Sequence, residues 1–290
     1  MPRSDWDGFS FDGIGTRWEV STPRPLDGTV RARLLAVVEK YDGVWSRFRS
    51  DSTVAAMSRQ PGRFQFPQEA AGLGRLYRSL YDLTAGAMTP LIGGSLERLG
   101  YDALYSLRPS GSPLAAPRWE DALDWAGTVL TTGVPLVLDI GAAGKGQLVD
   151  LLAAELRWLG HEDFLIDASG DLLHSGPDPV KVALEHPYDP DRAIGTVSLA
   201  GAALCASASN RRAWGDGLHH VLDGTTGRPV TTAVATWVMA DDAMVADALA
   251  TALFFAPGEA LERSFDFSWL TVFSDGSAAY SPGFEGTLFT

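Results

Sequence analysis

Residues 134–159 read VPLVLDIGAAGKGQLVDLLAAELRWL. The first seven form a short apolar, partly β-branched run that closes on Gly141, and residues 145–159 place apolar side chains at helical spacing. The stretch predicts strand, glycine turn, helix. Upstream, residues 30–41 follow an Asp-Gly pair and place apolar side chains at helical spacing, which predicts an amphipathic helix, and a second helix is expected over residues 69–84. Downstream, residues 164–167, 180–185, 196–199 and 234–240 predict short strands and residues 243–255 a helix. Residues 270–280, with Ser-Asp-Gly between two extended runs, predict a closing hairpin. Strands in runs with helices inserted between them predict an α+β fold with mixed or antiparallel sheets. The chain reads as one domain over residues 1–290, with the Pro-, Ser- and Gly-rich residues 107–118 as a surface loop.

The composition is that of a folded globule: 46% hydrophobic, 20% charged and 10% aromatic. Lys plus Arg is 23 against 36 Asp plus Glu, a net charge of −13. That is the wrong sign for binding a phosphate backbone, so nucleic acid and anionic membranes are not expected partners. A metal ion that offsets local negative charge is easier to reconcile with it. A single cysteine, Cys205, rules out an intrachain disulfide or a thiolate metal cluster. The opening MPRSDWDGFSFDGIG lacks an apolar leader core, and no run is long and apolar enough to span a bilayer. The expected setting is the cytoplasm, without membrane insertion.

Four segments carry candidate chemistry. Asp139-Ile-Gly-Ala-Ala-Gly-Lys145 places a carboxylate at a strand end, then a small-residue turn and a lysine at a helix start. It reads either as a packed turn or as one whose backbone can approach a phosphate or metal. It is not a Walker A loop, because Gly146 follows Lys145 and Asp139 stands where the first glycine belongs. Phe164-Leu-Ile-Asp-Ala-Ser-Gly-Asp171 runs a strand into a Ser-Gly-Asp corner that turn chemistry alone also explains. His219-His220-Val-Leu-Asp223-Gly-Thr-Thr226-Gly227 gathers imidazole, carboxylate and hydroxyl in a short segment, suited to proton transfer near neutral pH. Adjacent residues of an extended strand point to opposite faces, so at most one histidine reaches a site, and His220 is favoured. Finally, the i, i+4 spacing of Asp247 and Thr251 stacks two hard oxygen ligands for Mg²⁺ on one helix face, or a carboxylate satisfied by protein alone. G-x-S-x-G, H-E-x-x-H and G-x-G-x-x-G patterns are absent.

In this order the segments resemble the motifs of the ApbE family of flavin transferases. The similarity begins at Gly13-Ile-Gly-Thr16-Arg-Trp18 and runs through Trp45-Ser46-Arg-Phe48, Tyr81-Asp82-Leu-Thr84 and Leu99-Gly-Tyr-Asp102. It ends with His-x-x-Asp-x-x-Thr-Gly followed by Ala-Asp-x-x-x-Thr. The resemblance implies Mg²⁺-dependent transfer of FMN from FAD to a Thr or Ser hydroxyl of a target flavoprotein, with AMP leaving. The target site would be of the Ser/Thr-Gly-Ala-Ser/Thr type. It implies metal ligands at Asp247, Thr251 and a carbonyl of the glycine turn at Gly144, and catalytic roles for His220 and Asp223. Thr16, Ser46, Asp82, Thr84, Asp139, Lys145, Ser207 and Thr226 would serve the FAD pocket. Two other outcomes keep the same pocket: a Mg²⁺-dependent FAD pyrophosphatase, and a non-catalytic FAD-binding protein. Three positions depart from the family pattern. Ala206-Ser207-Ala208-Ser209 replaces Thr-Ser-Gly, Ser169 stands where a first glycine is usual, and Gly224 stands for a proline, which predicts a looser turn.

Overall fold

The computed structural model describes residues 5–289, so Met1 to Ser4 of the amino-terminal reading and Thr290 lie outside the described residues. Eight strands make one sheet: β1 (Asp7–Gly13), β2 (Thr16–Thr22), β3 (Phe164–Asp167), β4 (Asp171–Ser175), β5 (Ala203–Ala208), β6 (Ala233–Ala240), β7 (Ser268–Phe273) and β8 (Ala278–Tyr280). They lie in chain order, and every neighbouring pair is antiparallel. Such a meander needs no crossover helices, so the long insertions between strands are free to cover one face.

Three helices do so, α1 (Gly28–Trp45), α3 (Gly144–Trp158) and α4 (Ala243–Ala252), while α2 (Ala70–Leu83) packs on α4. Asp27 fixes the start of α1 by accepting from the N–H groups of Thr29 and Val30 at 2.8 and 2.9 Å. Val30, Leu34, Val38, Tyr41 and Trp45 then recur at helical spacing and bury its inner face. Alternation along the strands divides the sheet's two faces. Ala203, Cys205 and Val238 meet the helices, whereas Leu204, Trp237 and Leu270 pack on the other side against Val182, Leu184, Val197 and Leu199. Those last residues belong to a second, three-stranded sheet of Val180–His186, Asp189–Leu199 and Gly286–Leu288. The architecture is α+β: helices, large sheet, small sheet. A further three-stranded sheet (Gly62–Gln65, Asp124–Ala126, Val129–Thr132) flanks the helices.

One expected strand is absent. Residues 134–140 are extended and alternate in burial, with Leu136, Leu138 and Ile140 inside, yet they join no sheet. Their N–H groups go elsewhere: Leu136 donates to Met57 O at 3.0 Å and Asp139 to Pro90 O at 2.8 Å. Among the described residues no helix is long and apolar enough to cross a membrane.

Candidate active site

A cleft of about 860 Å³ opens between the β1–β2 turn, the end of α1, the turn before α3, and α4. Its size falls in the upper part of the range for ligand sites. The crossing of α3 and α4 builds its floor. A Cβ at Gly146 would lie 2.1 Å from Ala243 O and 2.8 Å from Asp247 Cβ, so only glycine lets the two backbones touch. This approach brings the Gly146 N–H to Asp247 Oδ2 at 3.0 Å. From α3, Asp150 fastens the start of α4, its two oxygens accepting from the Ala243 and Met244 N–H groups at 2.9 Å each. One turn beyond Asp247, Thr251 Oγ1 stands 3.3 Å from Ser207 Oγ. Gly144 opens α3, and Lys145 beside it pairs with Asp171 and reaches within 4.0 Å of Asp247 Oδ1. Gly144, Lys145, Ser207, Asp247 and Thr251 therefore line one floor, joined by Thr16, Ser46 and Asp139 on the walls.

The charges there do not cancel. Asp171 and Asp247 are buried, at 0% and 2% exposure, and share one ammonium. Burial, then the nearby Asp171 carboxylate, pushes Asp247 well above the usual carboxylate range, with Lys145 opposing. Lys145 is held charged by the same two carboxylates against its own desolvation. A buried carboxylate whose Oδ1 has no hydrogen bond among the described residues, next to a threonine hydroxyl, suits a hard divalent cation.

His220 lines the cleft opposite this floor. Its Nδ1 is buried without a hydrogen-bond partner among the described residues, and burial first, then Arg212, His219 and Lys145, pushes the imidazole down to about 3. It is therefore neutral near pH 7. His219 turns away, its Nε2 lying 2.8 Å from Val230 O and its Nδ1 accepting from the Val221 N–H at 3.3 Å.

Four expected residues stand outside the cleft. Asp223 accepts from the N–H and hydroxyl of Thr225 at 2.7 and 2.6 Å, closing its own turn rather than orienting His220. The Thr226 hydroxyl accepts from the Arg228 N–H at 3.2 Å. Asp82 is exposed and paired with Arg78 at 2.6 Å. Thr84 caps α2, donating to Leu80 O at 2.7 Å and accepting from the Met88 N–H at 3.0 Å. Nor is the Gly224 turn loose. Its N–H donates to Ala87 O at 2.8 Å, a bond proline could not make, and a Cβ would sit 2.7 Å from Gly86 O.

Two residues within the quoted segments received no site role from the sequence. Arg47 is buried between the Phe48 and Tyr101 rings, its Nε donating to Asp139 Oδ2 at 2.5 Å and its Nη1 to Tyr101 O at 2.8 Å. Burial would raise the Asp139 carboxyl, but Arg47 and the Gly141 N–H hold it below the usual range, so Asp139 anchors the glycine turn. Asp171 is the other, and its pairing with Lys145 spans 26 residues. A backbone signal agrees: Ile14, Tyr105, Leu107 and Ser169, four of the five non-glycine residues with positive φ among the described residues, all line the cleft. Ser169, at φ 59°, secures its strained turn by donating to Arg17 O at 2.7 Å.

Fold and cleft define an α+β protein with a buried two-carboxylate, one-ammonium cluster facing a neutral imidazole across a cofactor-sized space. The sequence model of the ApbE family matches residues 14–266, and the chain belongs to that family. It is similar to the FAD:protein FMN transferase of Rhodobacter capsulatus, with 31% identity over 229 residues, covering 74% of this chain and 43% of that protein. It is also similar to the FAD:protein FMN transferase of Vibrio cholerae serotype O1, 26% identical across 78% of this chain and 72% of the relative. The chain thus spans less than half the length of the R. capsulatus protein. Among solved structures, the ApbE protein of Thermotoga maritima superposes with a TM-score of 0.83 at 23% identity, covering 97% of this chain and 99% of that one. The flavin transferase ApbE of V. cholerae gives 0.78 at 20% identity, covering 96% and 98%. At these identities the structural likeness shows the fold.

Proposed function

We propose that this protein moves FMN from FAD onto a Thr or Ser hydroxyl of a partner protein, through a phosphoester bond, with Mg²⁺ as its metal. The observation that carries the reading is the convergence of Gly144, Lys145, His220, Asp247 and Thr251 on one cleft from segments more than a hundred residues apart. In the reaction the acceptor oxygen bonds to the FMN phosphorus, the P–O bond to the bridging oxygen breaks, and that oxygen leaves on AMP. Neutral His220 is suited to take the hydroxyl proton as the bond forms, and the incoming phosphate charge favours the imidazolium that results. Asp247, Thr251 and the Gly144 carbonyl would hold Mg²⁺, which when bound neutralises the pyrophosphate charge that otherwise repels a nucleophile. Lys145 and Arg212 add fixed positive charge to the same cleft. The cytoplasmic setting and the reading of residues 1–290 as one unit belong to this proposal. In support of the latter, the large sheet draws strands from both ends of the described chain.

The test is incubation with FAD, Mg²⁺ and a peptide carrying Thr-Gly-Ala-Thr. Peptide that gains the mass of FMN, with one AMP released per transfer, is the expected result. Free FMN and AMP with unmodified peptide would make the protein a pyrophosphatase, and intact FAD that binds without turnover would make it a carrier.

A further inference from the structure

We propose that the loop 102–114 is the docking edge for the acceptor polypeptide, and that it takes an extended segment with an apolar side chain and carboxylates flanking the modified hydroxyl. The inference rests on the transferase reading above.

Leu104, Tyr105, Leu107 and Leu114 are 90%, 48%, 44% and 59% exposed. Tyr105 and Leu107 line the cleft, whereas Leu104 and Leu114 do not, so the apolar surface passes from the cleft wall to the outside of the molecule. A nucleotide would be accommodated by the cleft alone. An acceptor protein must place one hydroxyl inside while its chain stays outside, and it therefore contacts the surface that crosses the mouth.

The loop is held in place, although its composition reads as slack. Leu107 donates its N–H to Gly100 O and Ser110 to Arg98 O, both at 2.8 Å, and Arg98 Nε donates to Ser112 O at 2.6 Å. Ser95 Oγ donates to Leu114 O at 2.7 Å, and the Ala116 N–H to Gly224 O at 2.8 Å, which ties the loop to the segment that follows His220. Gly227 packs so closely that a Cβ there would lie 2.0 Å from Leu114 O. Apolar side chains fixed in water by this many bonds, two of them at positive φ, are a costly surface that a partner's burial would offset. The charge beside it is complementary to an acidic segment. Arg98 and Arg108 have no carboxylate partner among the described residues, in a chain whose net charge is −13.

Two peptides with a Thr-Gly-Ala-Thr core test this, one flanked by Leu and Glu, the other by Ser and Gln. The wild-type protein should favour the first in kcat/KM by about tenfold, the worth of one well-buried leucine. The double variant Leu104→Ser/Leu114→Ser should bring the ratio to within about twofold, and Arg108→Gln, which leaves the apolar contact in place, should lower it without erasing it. FAD affinity, read by flavin fluorescence, should be unchanged in both and so report an intact fold. An unaltered ratio in the double variant overturns the inference. So does a loss of FAD affinity in place of peptide discrimination, which would assign the edge to the flavin. A wild-type dimer that the double variant converts to monomer would assign it to a second copy of the chain and overturn the inference as well. Transfer to neither peptide by the wild-type protein overturns the transferase reading itself, a result distinct from all of these.

Discussion

Asp247 sits in a position that apolar packing alone would not sustain, and the proposed cation would relieve the cost of burying its charge. Its carboxyl is raised by burial and by Asp171, so the folded protein prefers it protonated. That preference adds stability below the unfolded carboxylate range, and the contribution is lost as pH rises through the folded value. In metal-free protein at pH 8, Asp247→Asn should therefore raise the melting temperature, by about 2–4 °C for each kcal/mol of relieved charge burial. The same variant should abolish the Mg²⁺-dependent rise in melting temperature, and calorimetry with and without Mg²⁺ checks both. A lower melting temperature in the metal-free variant would count against the strained-carboxylate account. His220 has the opposite sign. Its imidazole is depressed to about 3, so the stability it contributes is present above the ordinary histidine range and lost as pH falls toward 3. As a base it is already neutral, so kcat/KM for transfer should show no histidine inflection between pH 5 and 8. His220→Asn should lower the rate by about 10²- to 10⁴-fold across that window. At saturating Mg²⁺, which holds Asp247 ionised, a wild-type profile falling below pH 6.5 would identify a different base.

The crossing of α3 and α4 makes the site a property of two elements held in register. Gly146 sets their distance and Asp150 their stagger. Gly146→Ala should cost about 3 kcal/mol, because its Cβ meets backbone rather than a movable side-chain end. Gly43→Ala, a helical position with nothing within 4 Å of the new Cβ, should instead stabilise by about 0.5–1 kcal/mol. Urea unfolding of the two variants compares them, and equal effects would deny the close approach its role. Asp150 gives this junction a pH dependence. Burial raises it to about 6, with the Met244 and Ala243 N–H groups opposing, so its contribution is present below the unfolded value of 3.8 and disappears as pH rises through about 6. The stability difference between wild type and Asp150→Asn should accordingly favour wild type more at pH 5 than at pH 8, by about 1.4 kcal/mol. A difference constant across that range would show that Asp150 does not titrate at the junction.

At the scale of the whole molecule, what could be read from the chain was whatever is written locally. Helical spacing encodes α3 and α4, and the four-residue interval encodes the shared face of Asp247 and Thr251. The alternation of Leu136, Leu138 and Ile140 encodes burial but not a partner strand, and so it suggested a strand where the N–H groups serve Met57 and Pro90 instead. The resemblance implied a catalytic role for Asp223 and a place in the FAD pocket for Thr226, yet in the structure their polar groups bond within their own turn. Arg47 with Asp139 and Lys145 with Asp171 were invisible, since a charge in a sequence does not name its counterion 92 or 26 residues away. These long-range pairs join the segment after α1 to the turn before α3, and α3 to the start of β4, around one cleft, so a ligand that fills it should stabilise the chain as a unit. FAD and Mg²⁺ together, each at about a hundred times its Kd, should add roughly 2.7 kcal/mol or more and raise the melting temperature by about 5–10 °C. Each alone should do far less, because in the proposed arrangement the pyrophosphate without the cation would face Asp247 and Asp171, and the cation without FAD would have only one carboxylate ligand. A thermal-shift matrix over both concentrations measures this coupling. Shifts that merely add would place the two ligands in separate sites and dissolve the arrangement of imidazole, metal ligands and nucleotide on which the proposed transfer depends.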